Sequence, residues 1–86
     1  MVDRNYIQAV LEDEVAYQYD QYGENPHEID SFATYIRTYS HRLDEVATSR
    51  NAPAEKMAVV RKIAALCIRC MEQHEKHVTF RERGKR

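Results

Sequence analysis

Two residues near the N-terminus have the type and spacing to do chemistry. Glu14 and Gln18 fall on the same side of the first amphipathic stretch as Ile7, Val10, Leu11, Val15 and Tyr22. Positions 7, 11, 14, 18 and 22 follow the three-and-four spacing of one helix face. A carboxylate and an amide inside an apolar stripe are costly unless they are hydrogen-bonded or ligated. Breaks of a local pattern concentrate at functional sites. Two readings follow. The pair is a buried polar couple satisfied by tyrosine hydroxyls or by Arg42, or it faces a ligand.

The tyrosines bear on the same choice. Tyr6, Tyr17, Tyr19, Tyr22, Tyr35 and Tyr39 are present without any tryptophan. A tyrosine ring joins an apolar body to a polar tip and can stack on a base, although most tyrosines on amphipathic helices form the rim of a core. Arg37 or Arg42 could meet a phosphate. A binding site would thus draw on Glu14, Gln18, Tyr22, Arg37 and Tyr39. His41 falls on the polar side of its helix and reads as solvent-facing.

Cys67-Ile68-Arg69-Cys70, with His74 and His77 after it, has the form of a metal or redox motif. A zinc site would need four convergent ligands, usually from a turn and a second element. Here the cysteines sit among Ile63, Ala64, Leu66 and Met71 within a helical pattern, so core packing is the preferred reading. No metal and no cofactor is expected on this basis.

The chain that must position these groups has 86 residues, enough for one domain with a small core. Its net charge of -1 argues against broad electrostatic binding to nucleic acid. No apolar run is long enough for a membrane span. The polar opening Asp3-Arg4-Asn5 carries no secretory pattern, and the cysteines form no spaced framework. These features point to a reducing, cytoplasmic setting.

Gly23, Pro26 and Pro53 punctuate the chain into three helices, roughly 3–22, 30–48 and 53–77. Gly23 suits the end of a helix. Asn25-Pro26-His27-Glu28 has the form of an N-cap followed by a short helical turn, with Asp30 or Ser31 capping the second helix. Ser49, Asn51 and Pro53 frame the start of the third. Short loops make successive helices antiparallel. The expected fold is an all-α, three-helix antiparallel bundle over residues 1–77, with a basic tail over 78–86. The tail reads as a solvated terminus or as an arm toward an anionic partner.

The second helix gathers Phe32, Ile36, Tyr39, Ser40, Leu43, Val46 and Ala47 on one face, with Arg37, His41, Asp44 and Glu45 opposite. The third is wider. Arg61, Lys62, Arg69, Glu72, Gln73 and Lys76 share one sector, and Met57, Val59, Val60, Ile63, Ala64, Leu66, Cys67, Ile68, Cys70 and Met71 fill the rest. Such an arc touches neighbours on two sides. It marks a central helix, or one that also pairs with its counterpart in a homo-oligomer through residues 53–77.

The series Glu14-x-x-x-Gln18-x-x-x-Tyr22-Gly23-x-x-x-His27, then an aromatic helix, then Val60-Arg61-Lys62-Ile63-Ala64-Ala65-Leu66 with Glu72 following, resembles small helical proteins of bacteriophages. Many of these look like members of the MazG-like all-alpha nucleoside triphosphate pyrophosphohydrolase group. The resemblance spans most of residues 10–75. It implies a helical fold and, for the enzymes of that group, magnesium held by about four carboxylates on two facing helices. In this sequence only Glu14 lies on an inward face, and Asp44, Glu45 and Glu72 are the other available ligands.

Two functions follow as expectations. The first is a non-catalytic, phage-type accessory protein that oligomerises and binds a nucleotide-like ligand or a host protein, in the manner of a counter-defence factor. The alternative is a magnesium-dependent pyrophosphohydrolase using Glu14, Asp44, Glu45 and Glu72. A helical adaptor with its wide third helix as partner surface is a third, purely structural possibility.

Overall fold

Asp3 opens the first helix. Its carboxylate accepts the Tyr6 backbone N–H at 3.2 Å, which satisfies one of the donors that a helix start leaves open. The computed structural model describes residues 3–47, 50 and 53–82. In it the chain is all-α: α1 (Arg4–Tyr22), α2 (Ile29–Ala47), α3 (Pro53–Gln73) and a closing 3-10 turn (Glu75–His77), with no strand among the described residues. Helix α1 stops at Gly23, whose φ is +82° and whose N–H donates to the Tyr19 carbonyl at 2.8 Å. Glycine alone takes a positive φ without steric cost.

The segment after Gly23 differs from the sequence expectation. Asn25–Glu28 form no helical turn, and Asp30 and Ser31 lie inside α2 rather than capping it. The Glu28 carbonyl instead accepts the N–H groups of Ser31 and Phe32 at 3.0 and 3.3 Å. The physical reason lies at the far end of α3. The His27 N–H donates to Gln73 Oε1 at 2.8 Å, and His74 Nε2 donates to the His27 carbonyl at 2.8 Å. These two long-range bonds hold the loop extended. They also explain why α3 ends at Gln73 rather than at residue 77: His74 leaves the helical region (φ -126°, ψ 38°), and its ring is turned to the loop.

The cap candidates Ser49 and Asn51 lie outside the described residues, as do residues 83–86 of the basic tail. Residues 78–82 are exposed and outside any helix, with Phe80 fully in solvent.

Helix α3 is central. Glu14 meets Arg61, and further along both helices Gln18 meets Arg69 and Tyr19 meets Glu72, so α1 and α3 run parallel. Phe32 lies near Arg69 and Tyr39 near Lys62, so α2 runs antiparallel to α3. Helices α1 and α2 pack on α3 and not on each other. The buried apolar core is small: Val15, Phe32, Val59, Ala65 and Leu66. On α2, Phe32 is buried and Ile36, Tyr39, Leu43 and Val46 are half-buried, whereas Ser40 and Ala47 are exposed.

The apolar arc of α3 is only partly used. Met57, Val60 and Met71 remain exposed. Cys67 and Cys70 are half-buried free thiols inside α3. Burial pushes the Cys70 thiol above its ordinary pKa, and neighbouring Cys67 adds to the shift. No helix among the described residues is long and apolar enough to cross a membrane.

Three outcomes test this packing. Phe32→Ala should lose about 3–5 kcal/mol in urea unfolding, since Phe32 is 1% exposed. Gly23→Ala should lose about 1 kcal/mol or more, because nothing crowds the new methyl group and only the positive φ opposes it. Alkylation of Cys70 at pH 8, followed by mass spectrometry, should be slower than that of a free thiol and should rise with pH, because a raised pKa leaves less thiolate.

Candidate functional site

Glu14 and Gln18 point inward. They are 6% and 4% exposed, and their partners come from α3 rather than from tyrosine hydroxyls or Arg42. Glu14 Oε1 accepts from Arg61 Nε at 2.7 Å, an ion pair. Glu14 Oε2 accepts from Gln18 Nε2 at 3.3 Å, and the same amide nitrogen donates to the Lys62 carbonyl at 3.3 Å. Gln18 Oε1 accepts from an Arg69 guanidinium N–H at 3.1 Å. The row Arg61–Glu14–Gln18–Arg69 is continuous, and both residues of the α1 pair are fully engaged in it.

Arg69 is the anomaly in this row. It is 4% exposed, yet among the described residues no carboxylate pairs with it. Its guanidinium lies 4.9 Å from the Tyr19 ring centroid and 5.7 Å from that of Phe32. Those rings return part of the lost hydration. Its Nε is buried with no hydrogen-bond partner, and the Gln73 amide nitrogen is in the same condition. A buried charge ordinarily has a counter-charge.

Beside this row, where α1 and α2 fail to meet, lies a cavity of about 290 Å³. From α1 it is lined by Glu14, Tyr17, Gln18 and Tyr22, from α2 by Tyr35 and Tyr39, and from α3 by Lys62, Leu66 and Arg69, with His27 closing it from the loop. The His27 ring lies 5.7 and 5.8 Å from the Phe32 and Tyr35 rings. Its Nδ1 donates to the Asn25 carbonyl at 2.9 Å, which makes Nε2 the acceptor in the neutral ring. Lys62 Nζ sits 5.8 Å over the Tyr39 ring.

Of the site residues read from the sequence, the fold brings Glu14, Gln18, Tyr22 and Tyr39 together at this cavity. Arg37 is not among them: it is exposed on α2 and outside the lining. The cations that replace it are Lys62 and Arg69. The sequence pattern puts both in a polar sector of α3, but Lys62, Leu66, Arg69 and Gln73 follow one helical stripe. The presence of Leu66 in that stripe was the signal that it faces inward. Tyr17, His27 and Tyr35 also line the cavity without having been singled out.

The four carboxylates of the magnesium alternative are not brought together. Glu14 is held by Arg61 and Gln18. Glu72 is exposed and accepts from the Tyr19 hydroxyl at 3.2 Å. Asp44 and Glu45 are exposed on α2. Among the described residues no three His, Cys, Asp or Glu side chains are grouped to hold a metal. Comparison with protein-family models, with curated proteins and with solved structures gives no match.

Truncating Glu14 to alanine should destabilise the fold by about 1–3 kcal/mol in urea unfolding, since it strips Arg61 of its acceptor and leaves the Gln18 amide nitrogen only the Lys62 carbonyl. Arg61→Ala should cost a similar amount, about 1–3 kcal/mol, because it leaves the buried Glu14 carboxylate without its cation, although 40% of the Arg61 side chain is itself in solvent.

Proposed function

We propose that this protein is a non-catalytic binding protein that captures a small nucleotide-like ligand in the cavity between α1 and α2. The observation that carries the reading is Arg69: a buried guanidinium that no carboxylate among the described residues pairs with, at the wall of a cavity lined by four tyrosines. An anionic group on the ligand supplies the charge that the fold leaves out. The tyrosine rings suit a planar aromatic group on the same molecule. The volume, at the lower end of small-molecule sites, suits a ligand of about one nucleotide.

The absence of turnover is argued from Glu14. Both of its oxygens are engaged, and the remaining candidate carboxylates lie elsewhere, so among the described residues magnesium-assisted attack on a triphosphate has no cluster to work from. Capture without turnover also suits a sequestering, counter-defence role. Self-association belongs to the same reading. Met57, Val60 and Met71 are the exposed part of α3 that would carry it.

Thermal unfolding in the presence of nucleosides and nucleotides tests the reading. A ligand at about 100 times its Kd stabilises the folded state by about 2.7 kcal/mol, a rise in Tm of roughly 10 °C or more for a domain of this size. Nucleotides should produce such a rise, with no pyrophosphate released in the presence of magnesium. Pyrophosphate release at enzymatic rates, or no shift with any nucleotide, would count against it. Light scattering over a concentration series should show a species larger than the monomer.

A further inference from the structure

The charges around the cavity do not balance, and the imbalance has a definite size. Glu14 is matched by Arg61 in an ion pair. Lys62 and Arg69 are the other two charged residues of the lining, and among the described residues neither has a carboxylate partner. Arg69 is buried, and Lys62 stands over the Tyr39 ring 5.8 Å away. The unmatched charge is therefore two.

A neighbouring open depression limits how far a ligand chain of phosphates can extend. It shares Glu14, Tyr17 and Lys62 with the cavity and adds Asp13 and Arg61. With Lys62 already assigned to the cavity, the remaining charged side chains of the depression, Asp13 and Glu14 against Arg61, sum to minus one. A phosphate pushed into it meets two carboxylates along with the cations, so additional negative charge gains nothing there.

We propose, on the basis of the nucleotide-binding reading above, that the cavity is matched to a phosphate group carrying two negative charges, the monoester of a nucleoside monophosphate, held between Arg69 and Lys62. A singly charged phosphodiester leaves one of the two cations without a partner. A triphosphate places its surplus charge against Asp13 and Glu14. The aromatic wall then holds the base, and the phosphate charge sets the rank of ligands sharing one base.

The experiment is isothermal calorimetry at pH 8 with a chelator present, using adenosine, 3′,5′-cyclic AMP, AMP and ATP, and repeated with the guanine, cytosine and uracil series. At that pH a phosphomonoester, with a second pKa near 6, is doubly ionised, and the cyclic diester bears a single charge. For whichever base binds, the monophosphate should bind about tenfold tighter than the cyclic monophosphate, the value of one added charged contact. The nucleoside should bind weakest, and the triphosphate no tighter than the monophosphate.

Lys62→Gln removes a half-buried side chain and keeps the backbone carbonyl that Gln18 uses. It should bring the monophosphate and the cyclic monophosphate within about twofold of each other. Equal affinities in the parent protein, an unchanged ratio in Lys62→Gln, or a triphosphate that binds tenfold tighter would overturn the charge match and leave nucleotide binding standing. Failure of every nucleotide to bind would overturn both.

Discussion

A guanidinium buried at the centre of the molecule is the constraint around which the structure is arranged. Arg69 comes from α3, donates to Gln18 of α1, and stands between the rings of Tyr19 on α1 and Phe32 on α2. It is thus the point where all three helices meet. Its hydrogen bond and its two aromatic neighbours offset part of the cost of burying it, but none carries negative charge. A larger protein could absorb that cost in an extensive core. This one has few buried apolar side chains to set against it. On the proposed reading, the charge is retained at that position for binding rather than for folding.

The topology makes the cavity. Because α1 and α2 each pack against α3 and not against each other, a notch remains between them. The side chains that line it are mostly long amphipathic ones, four of them tyrosines. The loop after Gly23 completes the enclosure. It is tied to the end of α3 through Gln73 and His74, and it sets His27 against Phe32 and Tyr35. A single stripe of α3 therefore does two jobs, with Leu66 packing the interior and Lys62 and Arg69 facing the notch.

Much of this was legible in the sequence, and the parts that were not share one cause. Helix number and type followed from Gly23, Pro26, Pro53 and the spacing of apolar residues. The inward placement of Glu14 and Gln18 followed from their register with Val15 and Leu11. What periodicity does not report is the direction in which a polar residue on a central helix faces. The polar sector of α3 looked like a solvated side, yet Arg69 is as buried as Gln18. The partners of the α1 pair come from that sector, not from the tyrosines or Arg42. Arg37 is close in sequence to Tyr35 and Tyr39, but it occupies the exposed side of α2. The loop turn at Asn25-Pro26 and the end of α3 were misplaced because long-range bonds from Gln73 and His74 outweighed the local capping pattern.

The central claim, that Arg69 is kept for a ligand and not for stability, is tested most directly by urea unfolding of Arg69→Met with and without nucleotide. Methionine fills similar space without a charge, and no buried carboxylate is stranded by the change. Without ligand, the variant should unfold within about 1 kcal/mol of the parent, since a buried ion replaced by a packed apolar group is often neutral or better. Added nucleotide should stabilise the parent and leave the variant unmoved. A loss of about 3 kcal/mol or more in the unliganded variant, together with an undiminished response to nucleotide, would show that Arg69 is a structural post and that the cavity draws on other groups.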